Sequence, residues 1–234
     1  RYHCSTGEYH RLFATVADKR GGMFASWARR FFGDGTIAQA VARATEPIAD
    51  HVYWFSSSWL IFLVLPLVVA RVVPGVRGRD LGLGFGDWKF GLKATAALFA
   101  VMLPFVLYAS TDAAFQRQYP MSGGAVRSWP AFVTFEVLYL LYFIAWEWVH
   151  RGLLCVALYP RVGPAVIWLH TIAFAVMHAG KPELEAYGSI VAGVALGALA
   201  VRTGSFWYGA LLHAAVAFTM DLASLAQTGR WPGG

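Results

Sequence analysis

The chain has 234 residues, of which 58% are hydrophobic and only 14% charged, and its mean hydropathy is positive. A water-soluble globular domain of this length does not carry so large an apolar excess, so the soluble classes are excluded. The net charge of +6 comes from 19 Lys and Arg scattered through termini and loops, with no basic helix face. That scatter excludes nucleic acid and points to anionic membrane lipid as the basic residues' partner.

The apolar runs are continuous rather than alternating, and several reach the roughly 20 residues that a hydrocarbon core of about 30 Å demands. Lipid offers the backbone no partners, so such runs form helices. The predicted fold class is an all-α polytopic transmembrane helix bundle, with about six spans and N-terminal amphipathic helices. Residues 1–58 are mixed, with aromatic and basic residues interleaved at 23–32 (MFASWARRFF) and an amphipathic stretch at 36–49. These read as interfacial helices lying against the membrane.

Two peripheral spans and their loops fill 59–130. The first runs over 59–73, beginning nearer Tyr53 if it is to cross, and stops at Pro74-Gly75. The second covers 90–110. A polar connection at 111–128 follows, and Pro130 restarts the apolar pattern at a first-turn position. A four-helix core is expected over 131–225, with spans at 131–159, 164–178, 186–201 and 206–225, and a tail at 226–234. The 186–201 span carries Gly188, Ala192, Gly193, Gly197 and Ala200, small residues that let helix backbones approach closely, so it reads as a packing helix. Basic residues near the helix ends are almost balanced between the two sides, too evenly to set an orientation. Cys4 lies in the amino-terminal tail and Cys155 in an expected membrane helix, so no disulfide is expected. The chain opens at Arg1 with no Met and no signal pattern, as a truncated or processed product would.

Ionisable residues inside spans are costly and are functional candidates by default. Here they concentrate late: Glu136, Glu147, His150 and Arg151 in the third span, His170 and His178 in the fourth, His213 and Asp221 in the sixth. Glu147 and Arg151 lie one helical turn apart on one face, with His150 beside them. Such a pair either serves packing alone or keeps ionised a Glu147 that acts on water. Phe174 and His178 are likewise one turn apart. Three spans each contributing carboxylate or imidazole suggest that Glu147, His178 and His213 share one site. Together with His150 these residues also offer nitrogen and oxygen donors suited to Zn or Fe, although the His-Glu-x-x-His pattern of soluble zinc proteases is absent.

The order Glu147-x-x-x-Arg151-Gly152, then Phe174-x-x-x-His178, then His213 on the last helix resembles the CPBP family, which includes CAAX prenyl endopeptidases and bacteriocin-processing proteins. The turn at Pro160-Arg161-x-Gly163 and the stretch Arg79-Asp80-Leu81-Gly82-Leu83 resemble segments of that family too. The resemblance covers about 131–225. It implies an intramembrane endopeptidase in a bacterial-type cytoplasmic membrane, acting on membrane-embedded or lipidated peptides, with Glu147, Arg151, His178 and His213 as catalytic residues. In that family a Glu-Glu pair precedes the Arg and its first Glu activates water, and the last His is followed four residues later by a polar residue. This chain has Trp146 and Ala217 at those two positions. Asp221, Glu183 and Glu185 are the nearest acidic groups that could compensate. The implied mechanism has Glu147 take a proton from water while His178 and His213 position that water and donate to the oxyanion, with no cofactor required and a divalent metal such as Zn as the variant. The other class is a catalytically altered relative serving as a scaffold or accessory subunit. Nothing in the residues fixes the oligomeric state.

Overall fold

The structure, a computed structural model, describes residue 30 and residues 35–234. The interfacial helix expected at 23–32 lies outside the described residues, Arg30 aside. Every regular element among the described residues is helical, and five helices are long and apolar enough to cross a membrane. The chain is an integral membrane protein with an all-α architecture.

The first of the five is α1, Gln39–Val72. It differs from expectation in its continuity. The helix of Thr36–Thr45 tightens to a 3₁₀ turn over Glu46–Ile48 and continues as Ala49–Trp59, a π-helical stretch Leu60–Val64, and Leu65–Val72. Pro47 is tolerated in the first turn of the 3₁₀ segment, and Pro66 follows the widened π turn, where the helix accommodates a missing N–H. Val73 then turns extended, as the residue before Pro74 must, and the helix ends.

The next helix, α2, is Trp88–Ala109, opened by the Asp87 carboxylate accepting from Phe90 N–H at 3.2 Å. Asp112 caps α3, Ala113–Gln118, in the same way. Pro130 sits in the first turn of α4, which is α-helical over Trp129–Glu147 and π-helical over Trp148–Ala157. After the turn at Pro160 comes α5, Ala165–Met177, expected as a full span. At about 1.5 Å per residue its length is roughly 20 Å, short of the roughly 30 Å hydrocarbon core. It is the sixth apolar helix but a shorter one. Two long helices complete the chain: α6, Glu183–Thr203, and α7, Trp207–Thr228.

Two compact units are present. The described part of one, within Arg1–Ser57, Met121–Tyr139 and Arg230–Gly234, is built on an aromatic cluster. Phe55 stacks on Tyr139 at 5.5 Å between ring centroids, Phe135 meets His51 edge-on at 5.4 Å, and Tyr139 donates to Met121 Sδ. Glu136 is buried in this unit.

The other unit, Ser58–Pro120 and Leu140–Gly229, contains the expected site residues. In it α6 packs along α5, α7 packs on α2, and the π-helical part of α4 touches α5, α6 and α7. Small residues in α6 do what their spacing predicts. A Cβ at Gly193 would come within 2.9 Å of the Thr171 side chain, and one at Gly197 within 2.5 Å of His170 Nε2. The loop before α2 acts as a clamp: the carbonyls of Leu81 and Leu83 accept from the indole N–H groups of Trp148 and Trp207, each at 3.0 Å, and Gly82 O accepts from Phe206 N–H. Phe85 O accepts from the Tyr208 hydroxyl. The Arg79 to Leu83 stretch thus fixes the start of α7 against the π segment of α4.

Candidate active site

Glu147 is the last α-helical residue of α4 before the π segment, and one turn on is Arg151. Both side chains are 0% exposed. Arg151 Nη1 donates to Glu147 Oε1 at 2.8 Å, so the pair foreseen from the one-turn spacing forms. Neither charge would be tolerable there alone, since burying an unpaired ion costs several kcal/mol even after relaxation (about that order). The same Oε1 accepts a second bond, at 2.7 Å, from His213 Nδ1 on α7. One turn before His213, Gly209 makes the approach possible: a Cβ there would lie 2.7 Å from Glu147 Oε2. A larger residue there would press on the carboxylate and force it to shift.

A single phenyl ring gathers the other groups. Phe174 on α5 lies 4.3 Å from Arg151 Cζ, 4.4 Å from the His178 ring, 5.8 Å from the His213 ring and 6.1 Å from the His150 ring. The guanidinium over the ring face is a cation–π contact, strongest where water is excluded. Phe143 lies against the other neighbour, its ring 4.1 Å from that of His213. Glu147, Arg151, His178 and His213 are therefore brought together around Phe174.

Hydrogen bonding fixes the imidazole tautomers. The Phe174 carbonyl can only accept, so His178 donates to it from Nδ1 at 2.7 Å; His150 donates in the same way to Trp146 O at 2.9 Å. An ionised Glu147 is also acceptor-only, so His213 carries its proton on Nδ1. In the neutral state both His178 and His213 present Nε2 as an acceptor. Their expected donation to an oxyanion requires a proton first.

The other candidates are placed as follows. Trp146 is packed on His150, ring centroids 4.4 Å apart, and on Tyr142 and Phe62, so an aromatic cluster fills the volume at that position. Ala217 is buried. Asp221 is fully buried, but eight residues along α7 put it about 12 Å from His213 along the axis, too far to complete the same group. Glu183 is exposed in the first turn of α6. Glu185 is committed elsewhere: the Tyr119 hydroxyl is 2.7 Å from each of its oxygens and Lys181 Nζ is 3.6 Å away. His170 donates from Nε2 to Gly193 O at 2.9 Å, a helix-packing role. Among the described residues no group of three or more His, Cys, Asp or Glu side chains is arranged to hold a metal. The group paired with Glu147 is a guanidinium, which cannot ligate a metal.

Sequence reasoning overlooked Gly209 and Phe143. Gly209 has no chemical group to attract notice, and Phe143 is one of many aromatics in α4. Each lies one or two turns from a residue that was noticed, His213 and Glu147, which is the signal that could have found them. No curated protein and no solved structure matches the chain. A family model does match, over well under half of the chain. Residues 127–219 match the family described as type II CAAX prenyl endopeptidase Rce1-like, a segment that holds Glu147, Arg151, Phe174, His178, Gly209 and His213 and bears out the resemblance read from the sequence.

Proposed function

We propose that this protein is an intramembrane endopeptidase that hydrolyses peptide bonds of lipidated or membrane-embedded peptides. The observation that carries the reading is the 2.7 Å bond between His213 and Glu147, which joins an imidazole to a fully buried, Arg-paired carboxylate inside an apolar bundle. A packing device needs no such group. Leucine or methionine in place of a buried ion pair is often neutral or stabilising by about 1–4 kcal/mol.

In this reading water attacks the scissile carbonyl, and the Glu147–His213 pair receives its proton. Arg151 holds the carboxylate, and Phe174 holds Arg151, His178 and His213 in register. Arg151 Nε and Nη2 and Glu147 Oε2 are buried and make no hydrogen bond among the described residues. The match to CAAX prenyl endopeptidases supports a substrate whose prenylated cysteine lies three residues from its carboxyl end.

A second reading has its own observation. Trp146 stands where the family has its water-activating Glu, and its ring packs against His150, as suits a relative that serves a membrane complex without cleaving. The test is cleavage of a farnesylated, fluorogenic CAAX-type peptide by the purified protein in nanodiscs, with bound metal measured on the same sample. Cleavage lost in Glu147→Gln supports the endopeptidase. Equal rates in the parent and in Glu147→Gln, or none in either across a panel of prenylated and transmembrane peptides, defeats it.

A further inference from the structure

We propose that His213, through Nε2, is the base that takes the proton from the attacking water, and that Glu147 is its positioning anion; this rests on the endopeptidase reading above. The sequence pointed to Glu147 as the base, but its geometry is that of a group already engaged. Oε1 holds two charge-assisted bonds, to Arg151 and to His213. Oε2 is buried, close enough to Gly209 that an added Cβ would lie 2.7 Å from it, and the side chain is 0% exposed. To act on water the carboxylate would have to break one of its bonds or displace α7.

His213 has none of these obstacles. Its side chain is 17% exposed, and Nε2 makes no hydrogen bond among the described residues. Because Glu147 accepts the Nδ1 proton, the lone pair is on Nε2, where a base needs it. Phe143 against one side of the ring and the edge of Phe174 on another hold its plane. The carboxylate 2.7 Å away then stabilises the imidazolium as it forms.

The step balances. An O–H bond of water breaks, its proton goes to Nε2, and the oxygen bonds to the scissile carbonyl carbon. As the tetrahedral intermediate collapses the C–N bond breaks, and the imidazolium returns the proton to the leaving nitrogen. Acid and amine products contain the added water, and His213 ends neutral.

Two measurements on the full chain in nanodiscs test the assignment. With the farnesylated peptide as probe, His213→Gly should lose about 10²–10⁴-fold in kcat. Added imidazole should restore part of that rate, and substituted imidazoles should restore it in order of basicity. No rescue by any imidazole in a folded His213→Gly protein, or His213→Asn within tenfold of the parent, overturns the proposal. Histidine ¹⁵N NMR of the unaltered protein is independent of turnover. It should show His213 protonated at Nδ1, with that preference lost in Glu147→Gln. An Nε2-protonated His213 overturns the proposal even where cleavage is robust. Absence of cleavage by the unaltered protein overturns the endopeptidase reading itself, and the base role with it, whatever the tautomer.

Discussion

Replacing Arg151 with Ala removes one of the two partners of a carboxylate that is 0% exposed. The remaining bond, from His213, leaves the carboxylate without its permanent countercharge. Breaking a buried pair from one side costs about 3–5 kcal/mol, because the other charge stays behind unpaired. The guanidinium's contact with Phe174 at 4.3 Å is lost as well and adds to the upper end of that range. On the scale of about 2–4 °C per kcal/mol for chains of 150–250 residues, the unfolding midpoint should fall by roughly 6–20 °C. The assay is thermal unfolding in a fixed detergent, followed by tryptophan fluorescence. Glu147→Gln combined with Arg151→Met, which removes both charges, should recover more than half of the loss. An Arg151→Ala protein within about 1 kcal/mol of the parent would show that Glu147 reaches solvent in the folded state, and the buried-pair argument would fail.

Gly209→Ala places a Cβ 2.7 Å from Glu147 Oε2, so it should cost about 1–3 kcal/mol in unfolding measurements and lower cleavage, with relief in a Glu147→Ala background. Gly197→Ala meets His170 Nε2 at 2.5 Å and should destabilise by a similar amount, about 1–3 kcal/mol, while a neutral effect on the midpoint would mean that α5 and α6 are not packed as described. Trp148→Phe deletes the donor to Leu81 O and should cost about 1–3 kcal/mol; proteolysis within the 78–87 loop should speed up in parallel, and an unchanged digestion rate would count against the clamp.

Much of this fold is legible in the chain because lipid leaves few choices: an apolar run bounded by proline or glycine forms a helix, and the bounds near Pro74, Pro130 and Pro160 fall where expected. The bounds of α5 are legible too, but the run read as a span, 164–178, is itself shorter than the roughly 20 residues a crossing demands, and the helix is 13 residues long. The amphipathic stretch that opens α1 is legible as a helix, but its continuity with the apolar part depends on how Pro47 and Pro66 are accommodated. At the site, the Glu147–Arg151 pair follows from the pitch of one helix. The His213–Glu147 bond spans 66 residues of sequence and requires the tertiary arrangement. Gly209 acts by having no side chain, and the carbonyls of Leu81 and Leu83 act through the backbone, so neither contribution has a signature in residue type.

If Glu147 and His213 act as one catalytic unit, their removal is not additive. The decisive measurement is therefore kcat/KM for the farnesylated peptide in the parent, Glu147→Gln, His213→Ala and the double variant, each shown to be folded in nanodiscs. The account predicts that the double variant is no slower than His213→Ala alone, within about threefold, because Glu147 acts only through the imidazole. Losses that multiply in the double variant would contradict it, since two residues that contribute independently are not a dyad.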